Sequence, residues 1–167
     1  MTNHTPIFLL GFMGAGKTTV GRALARHLGY DFYDLDELIS AQTGKSVQQI
    51  FADFGEAEFR RLESAAIQCC GDLVRAVVAL GGGAYVSAQN RKLLRAIGKT
   101  VWLDCPLEVC LQRVSGDASR PLLGNADEMK LLMAQRREFY AEADYIIRAG
   151  DRSPDDLVLE ITSLLRQ

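Results

Sequence analysis

Eight residues near the amino terminus carry the most specific chemistry in the chain: Gly11, Phe12, Met13, Gly14, Ala15, Gly16, Lys17 and Thr18, spaced as Gly-x-x-x-x-Gly-Lys-Ser/Thr. Glycines let backbone N–H groups turn inward around phosphate oxygens. A helix beginning near Lys17 would aim the positive end of its dipole at the same atoms. The pattern predicts a nucleoside triphosphate held by Gly14, Ala15, Gly16, Lys17, Thr18 and Thr19. Lys17 would bridge the β- and γ-phosphates, and the Thr18 hydroxyl would hold Mg2+.

A metal held this way needs an acid. Val101, Trp102, Leu103 and Asp104 partly fit an apolar strand ending in a metal-binding carboxylate, yet no second acid follows. Asp104 also reads as a residue beside a helix cap ahead of Pro106. Asp34 and Asp36 supply the alternative, two apart at a strand end, where the pleat would point both the same way if the strand ran through them. One can then organise the Mg2+ water shell while the other accepts a proton from an attacking hydroxyl. The bland role for Asp36 is to cap a helix starting at Glu37.

Three further features suit a small anionic acceptor. Gly81, Gly82 and Gly83 follow an apolar run, where missing side chains admit a ligand close to the backbone. Arg60 offers a planar fork that matches a carboxylate, though it also stands four residues from Glu56 and three from Glu63, the spacing of surface pairs. Arg136 and Arg137 are adjacent, and either could face solvent. The polar stretch 115–126, containing Gly116, Arg120 and Gly124, reads as a lid that would exclude water and bring Arg120 to the phosphates.

The elements that must position these groups alternate along the chain. Strands are expected at 7–10, 31–34, 76–80, 100–104 and 145–148. Helices are expected at 17–28, 37–43, 47–54, 56–70, 88–97, 107–114, 127–141 (capped by Asp127) and 155–166. Apolar strands joined by helices imply a three-layer α/β/α fold around a five-stranded parallel sheet. Ligands in such folds bind beyond the carboxyl ends of the strands.

Composition narrows the function classes. The chain has 167 residues, suited to one domain spanning 1–167, and 19 Lys+Arg against 21 Asp+Glu leave a net charge of −2. That balance argues against a broad electrostatic grip on nucleic acid. The four cysteines and two histidines show no zinc spacing and read as packing residues of a reducing compartment. No stretch is long and apolar enough for a membrane span, so a cytoplasmic protein is expected. There is no Asn-Lys pair of the kind a guanine-specific GTPase uses.

Taken together, residues 11–22, Asp34-Leu35-Asp36, Phe59-Arg60-Arg61-Leu62-Glu63, Gly81-Gly82-Gly83-Ala84 and Arg120-Pro121-Leu122-Leu123 resemble the shikimate kinases in order and spacing over nearly the whole chain. The resemblance implies transfer of the ATP γ-phosphoryl group to the 3-hydroxyl of shikimate, with Mg2+, by a monomer. It matches Asp36 to the base that contacts the ring hydroxyls and Asp34 to the metal-side acid. Arg60, Gly82 and Arg136 match the carboxylate anchors. Lys17 and Arg120 match the phosphate-side cations, and Arg113 and Arg152 match adenine-side residues. The family usually carries Arg-x-Pro-Leu-Tyr where this chain has Glu138 and Phe139, which keeps Arg137 as an alternative to Arg136. The resemblance also implies a substrate-binding helical insertion at about 36–70. A gluconate-kinase-like enzyme and a silent nucleotide-binding module are the competing expectations.

Overall fold

Four consecutive apolar residues, Ile7–Leu10, form the central strand β1 and are buried throughout. Ile7 and Leu9 pack into the core on one face of the sheet, Phe8 and Leu10 into the core on the other. This is the period of two expected for a strand covered on both sides. In the computed structural model, which describes residues 5–115 and 125–167, β1 is joined by β2 (Asp31–Asp34), β3 (Ala76–Ala79), β4 (Lys99–Asp104) and β5 (Tyr145–Arg148). The order is β2-β3-β1-β4-β5, and every pairing is parallel.

Helices α1 (Lys17–Leu28), α5 (Leu107–Ser115), α6 (Ala126–Tyr140) and α7 (Pro154–Leu165) contribute to the core with Leu9. Helices α2 (Leu35–Thr43), α3 (Val47–Cys69) and α4 (Ala88–Ile97) contribute to the core with Phe8, as does Tyr140 at the end of α6. The expected three-layer arrangement is therefore the observed one. The chain leaves β1 towards one edge of the sheet and β4 towards the other, so a crevice opens beyond their carboxyl ends.

The departures from expectation are local and have identifiable causes. Strand β2 stops at Asp34, whose carboxylate caps α2 by accepting from the Asp36 N–H (2.9 Å) and the Glu37 N–H (3.4 Å). Helix α2 thus begins at Leu35, earlier than expected. The pleat argument for Asp34 and Asp36 fails, because Asp36 lies in the first helical turn. Asn125, and not Asp127, caps α6, accepting from the Glu128 N–H at 2.9 Å. The break expected at Gly55 is present: Gly55 adopts the non-helical φ 83° and ψ 176°, so the two expected helices meet there at a kink within α3. Only glycine takes that conformation cheaply.

Candidate functional site

The chemistry-bearing residues fall where four strands end. After β1, the loop 11–16 bends through Gly14 at φ 78° and Gly16 at φ 96°. A Cβ on Gly14 would stand 2.6 Å from the Cys110 carbonyl oxygen, so only glycine lets this loop pass beneath α5. Gly16 then leads into α1, whose first turn carries Lys17, Thr18 and an exposed Thr19, while Ala15 is buried. The Lys17 ammonium donates to the Gly11 carbonyl (2.8 Å) and the Phe12 carbonyl (3.0 Å), closing the loop on itself. The Thr18 hydroxyl donates to Asp34 Oδ2 at 3.4 Å, which brings the two expected metal-side oxygens together.

No cluster of three or more His, Cys, Asp or Glu able to hold a metal occurs among the described residues. Thr18 and Asp34 offer a hydroxyl and a carboxylate, both hard oxygen donors. That pair suits Mg2+, which keeps several waters and takes its other oxygens from substrate phosphates.

After β3 comes the glycine turn, and four side chains from α2, α3 and α6 meet it. A Cβ on Gly81 would lie 3.2 Å from Asp36 Oδ1 and 3.3 Å from Glu63 Oε2; one on Gly82 would lie 2.9 Å from Arg136 Nη1; one on Gly83 would lie 2.5 Å from Arg60 Nη2. Each glycine is the floor beneath a charged group. Gly82 also approaches the phosphate loop, with its Cβ direction 3.8 Å from the Gly11 oxygen and the Met13 nitrogen. Beyond the turn, a cleft of about 820 Å³ is lined by Arg60, Ser64, Gly83, Asn90, Arg136 and Phe139, among others.

The turn itself is held by its neighbours. The Gly81 and Gly83 carbonyls accept from the Ala84 N–H (3.1 Å) and the Val86 N–H (3.2 Å), forming the short 3-10 turn Ala84–Val86. Asn90 donates to the Ala84 carbonyl at 3.0 Å, and Arg91 to the Tyr85 and Val86 carbonyls at 3.1 and 2.7 Å.

Packing sends Arg136 and Arg137 in different directions. Arg137 is spent on Asp104, bonding both its oxygens (2.7 and 3.2 Å) and lying 5.0 Å over the Trp102 ring. Asp104 is therefore the partner of Arg137, a role its place beside a cap did not suggest. Arg136 lies against Gly82, with its guanidinium 5.7 Å over the Phe12 ring. The Glu138-Phe139 departure leaves α6 helical through Tyr140.

Arg113 reaches from α5 to the Gly14 carbonyl (3.2 Å) and the Gly150 carbonyl (3.3 Å), at the rim of the phosphate loop. Arg152 donates to the Arg148 carbonyl (3.2 Å) and pairs with Glu160. Arg120, and with it most of the expected lid, lies outside the described residues. Burial pushes the Cys70 thiol up to about 11 and the Cys110 thiol up to about 12, as befits packing groups that stay protonated.

Sequence reasoning missed the weight of Glu63. Its i,i+3 spacing from Arg60 reads as a surface pair, but its side chain is 1% exposed and bonds Arg60 Nη1 at 2.8 Å. Arg60 also pairs with the exposed Glu56 at 3.5 Å. Glu63 Oε2 is buried with no hydrogen-bond partner among the described residues. Its carboxyl is held above its ordinary 4.5, chiefly by burial; Arg60 pulls it back down, and the Asp36 charge pushes it further up.

The sign of the consequence follows. A carboxyl raised by folding contributes stability that is fully present below its unfolded pKa and is lost as pH rises through the folded one. Glu63→Gln keeps the shape and cannot ionise. Its stability relative to the parent is expected to increase as pH rises above the ordinary 4.5, read from urea midpoints. A constant or shrinking difference would exclude an ionising buried Glu63.

Fold and sequence motif together define a P-loop phosphotransferase, with the glycine-rich loop on one side of the crevice and the Arg60–Arg136 cluster on the other. Residues 13–166 match the family described as Shikimate kinase. The chain is 46% identical over 164 residues to the shikimate kinase of Geobacter sulfurreducens, covering 96% of this chain and 91% of that one. The solved structure of a shikimate kinase from Acinetobacter baumannii in complex with shikimate superposes with a TM-score of 0.92 at 38% identity, covering 98% of this chain and 94% of that one. A deoxyadenosine kinase from M. mycoides shares the fold alone, with a TM-score of 0.64 at 15% identity over 96% of this chain and 98% of that one. The chain belongs to the shikimate kinase family. It is an ATP-using enzyme of the shikimate pathway, and these matches do not favour the gluconate-kinase-like or silent alternatives.

Proposed function

We propose that the chain transfers the γ-phosphoryl group of ATP to the 3-hydroxyl of shikimate through the residues gathered around the glycine turn. The observation that carries this assignment is the meeting of Asp36, Arg60 and Arg136 over Gly81–Gly83, beside the phosphate loop. Arg60, Arg136 and the Gly82 N–H bind the substrate carboxylate, the two arginines as planar forks. That grip turns the far side of the ring towards the nucleotide. Asp36 orients the 3-hydroxyl and takes its proton as oxygen bonds to the γ-phosphorus. The bond from that phosphorus to the β–γ bridging oxygen breaks, and ADP leaves.

Gly14, Ala15, Gly16, Lys17, Thr18 and Thr19 hold the triphosphate. Arg113 and Arg152 serve the adenine side, and Arg120 the transferring phosphoryl group, on the family resemblance. Mg2+ would be held by Thr18 and Asp34, and when bound it supplies charge stabilisation at the β- and γ-phosphates. Each remaining positive group then acts on charge that grows in the transition state.

We further assign the protein to the cytoplasm as a monomer without nucleic-acid or membrane partners. Among the described residues no helix is long and apolar enough to cross a membrane. The deciding experiment is ADP release with MgATP, with and without shikimate. Shikimate-dependent turnover is expected; its absence in protein that binds ATP would overturn the assignment.

A further inference from the structure

Tyr140 stands at the end of α6, four residues beyond Arg136, so both side chains rise from the same face of the helix. Its ring is buried against Trp102, with centroids 5.8 Å apart. Its hydroxyl donates to the Gly82 carbonyl. Burial outweighs the pull of Arg136 and pushes the phenol up to about 12, so the group stays a neutral donor at working pH.

The carbonyls of the glycine turn make this contact informative. Those of Gly81 and Gly83 are used inside the turn, whereas that of Gly82 is bonded from α6. Glycine peptides lose more freedom on ordering than any others, so one that is already pinned spares a ligand that cost.

We propose that Tyr140 is a positioning residue for the acceptor's carboxylate, its hydroxyl tying the Gly82 carbonyl to the helix that carries Arg136 so that two anchors from different elements keep one spacing. This rests on the assignment of Gly82 and Arg136 as carboxylate anchors. Tyr140 itself touches neither reacting atom.

Tyr140→Phe keeps the ring and removes only that tie. Leaving the part-buried Gly82 carbonyl without its donor from α6 is expected to raise the Kd and KM for shikimate about tenfold. The KM for ATP and kcat should stay within about twofold, a split that a general loss of packing would not produce. Nucleotide binding reports that the variant is folded, and Arg136→Lys is measured in parallel. If Arg136→Lys weakens shikimate and Tyr140→Phe does not, the positioning role is wrong and the socket stands. If neither weakens shikimate, both assignments fall. Parallel loss of ATP and shikimate affinity in Tyr140→Phe, or failure to bind either, would assign the hydroxyl to folding alone and overturn the proposal.

Discussion

Replacing Asp36 by asparagine is expected to lower kcat by about 10²–10⁴-fold, the range over which a positioned general base contributes. Asparagine fills the same space at the start of α2 and can still hydrogen-bond a ring hydroxyl, but it cannot accept the proton. Nucleotide affinity should stay within about twofold, because the triphosphate site proposed above is the loop at the end of β1. Steady-state kinetics with shikimate, beside fluorescent-nucleotide binding, separates the two effects. A kcat within about tenfold of the parent would remove Asp36 from proton transfer and leave it as a binding group.

The second large effect is expected at Lys17. Lys17→Met preserves length and flexibility and removes the charge. It also removes the ammonium donated to the Gly11 and Phe12 carbonyls, which closes the loop on itself. Both kcat and ATP affinity should fall, kcat by about 10²–10³-fold, the usual loss when one donor to a developing charge is deleted. Direct shikimate binding, measured without nucleotide, should be nearly unchanged. A variant that retains ATP turnover within about tenfold would show that backbone N–H groups and the metal suffice.

Much of this architecture was legible because its signals are local. Fully apolar runs such as 7–10 and 76–79 have one use in a chain of this length, and the glycines at 11, 14 and 16 carry a spacing with a mechanism. Helix starts were less legible, since neighbouring acids and amides compete for the same capping role. Asp34 takes α2 from Asp36, and Asn125 takes α6 from Asp127.

The site was readable only to the extent that its residues keep company in sequence. Arg136 and Arg137 differ by one position on a largely polar helix, and what separates them is Asp104, a residue 33 positions away from Arg137. Glu63 was hidden for another reason. Glutamate is seldom fully buried, so its spacing from Arg60 suggested solvent, and only the third dimension places it against Gly81 beside Asp36.

The cap at Asp34 makes the number of residues in this segment matter as much as their identity. Asp34, the proposed metal-side acid, ends an edge strand, and Asp36, the proposed base, lies in the first turn of the helix two positions later. No loop between them can absorb a change of length. One residue inserted after Leu35 would carry Asp36 about 100° around the helix, away from Glu63 and the glycine floor. Asp34 would keep its place beside Thr18. Such a chain would still close around a nucleotide while presenting the acceptor with the wrong face, which makes this two-residue step intolerant of insertions and deletions even where substitutions nearby are absorbed.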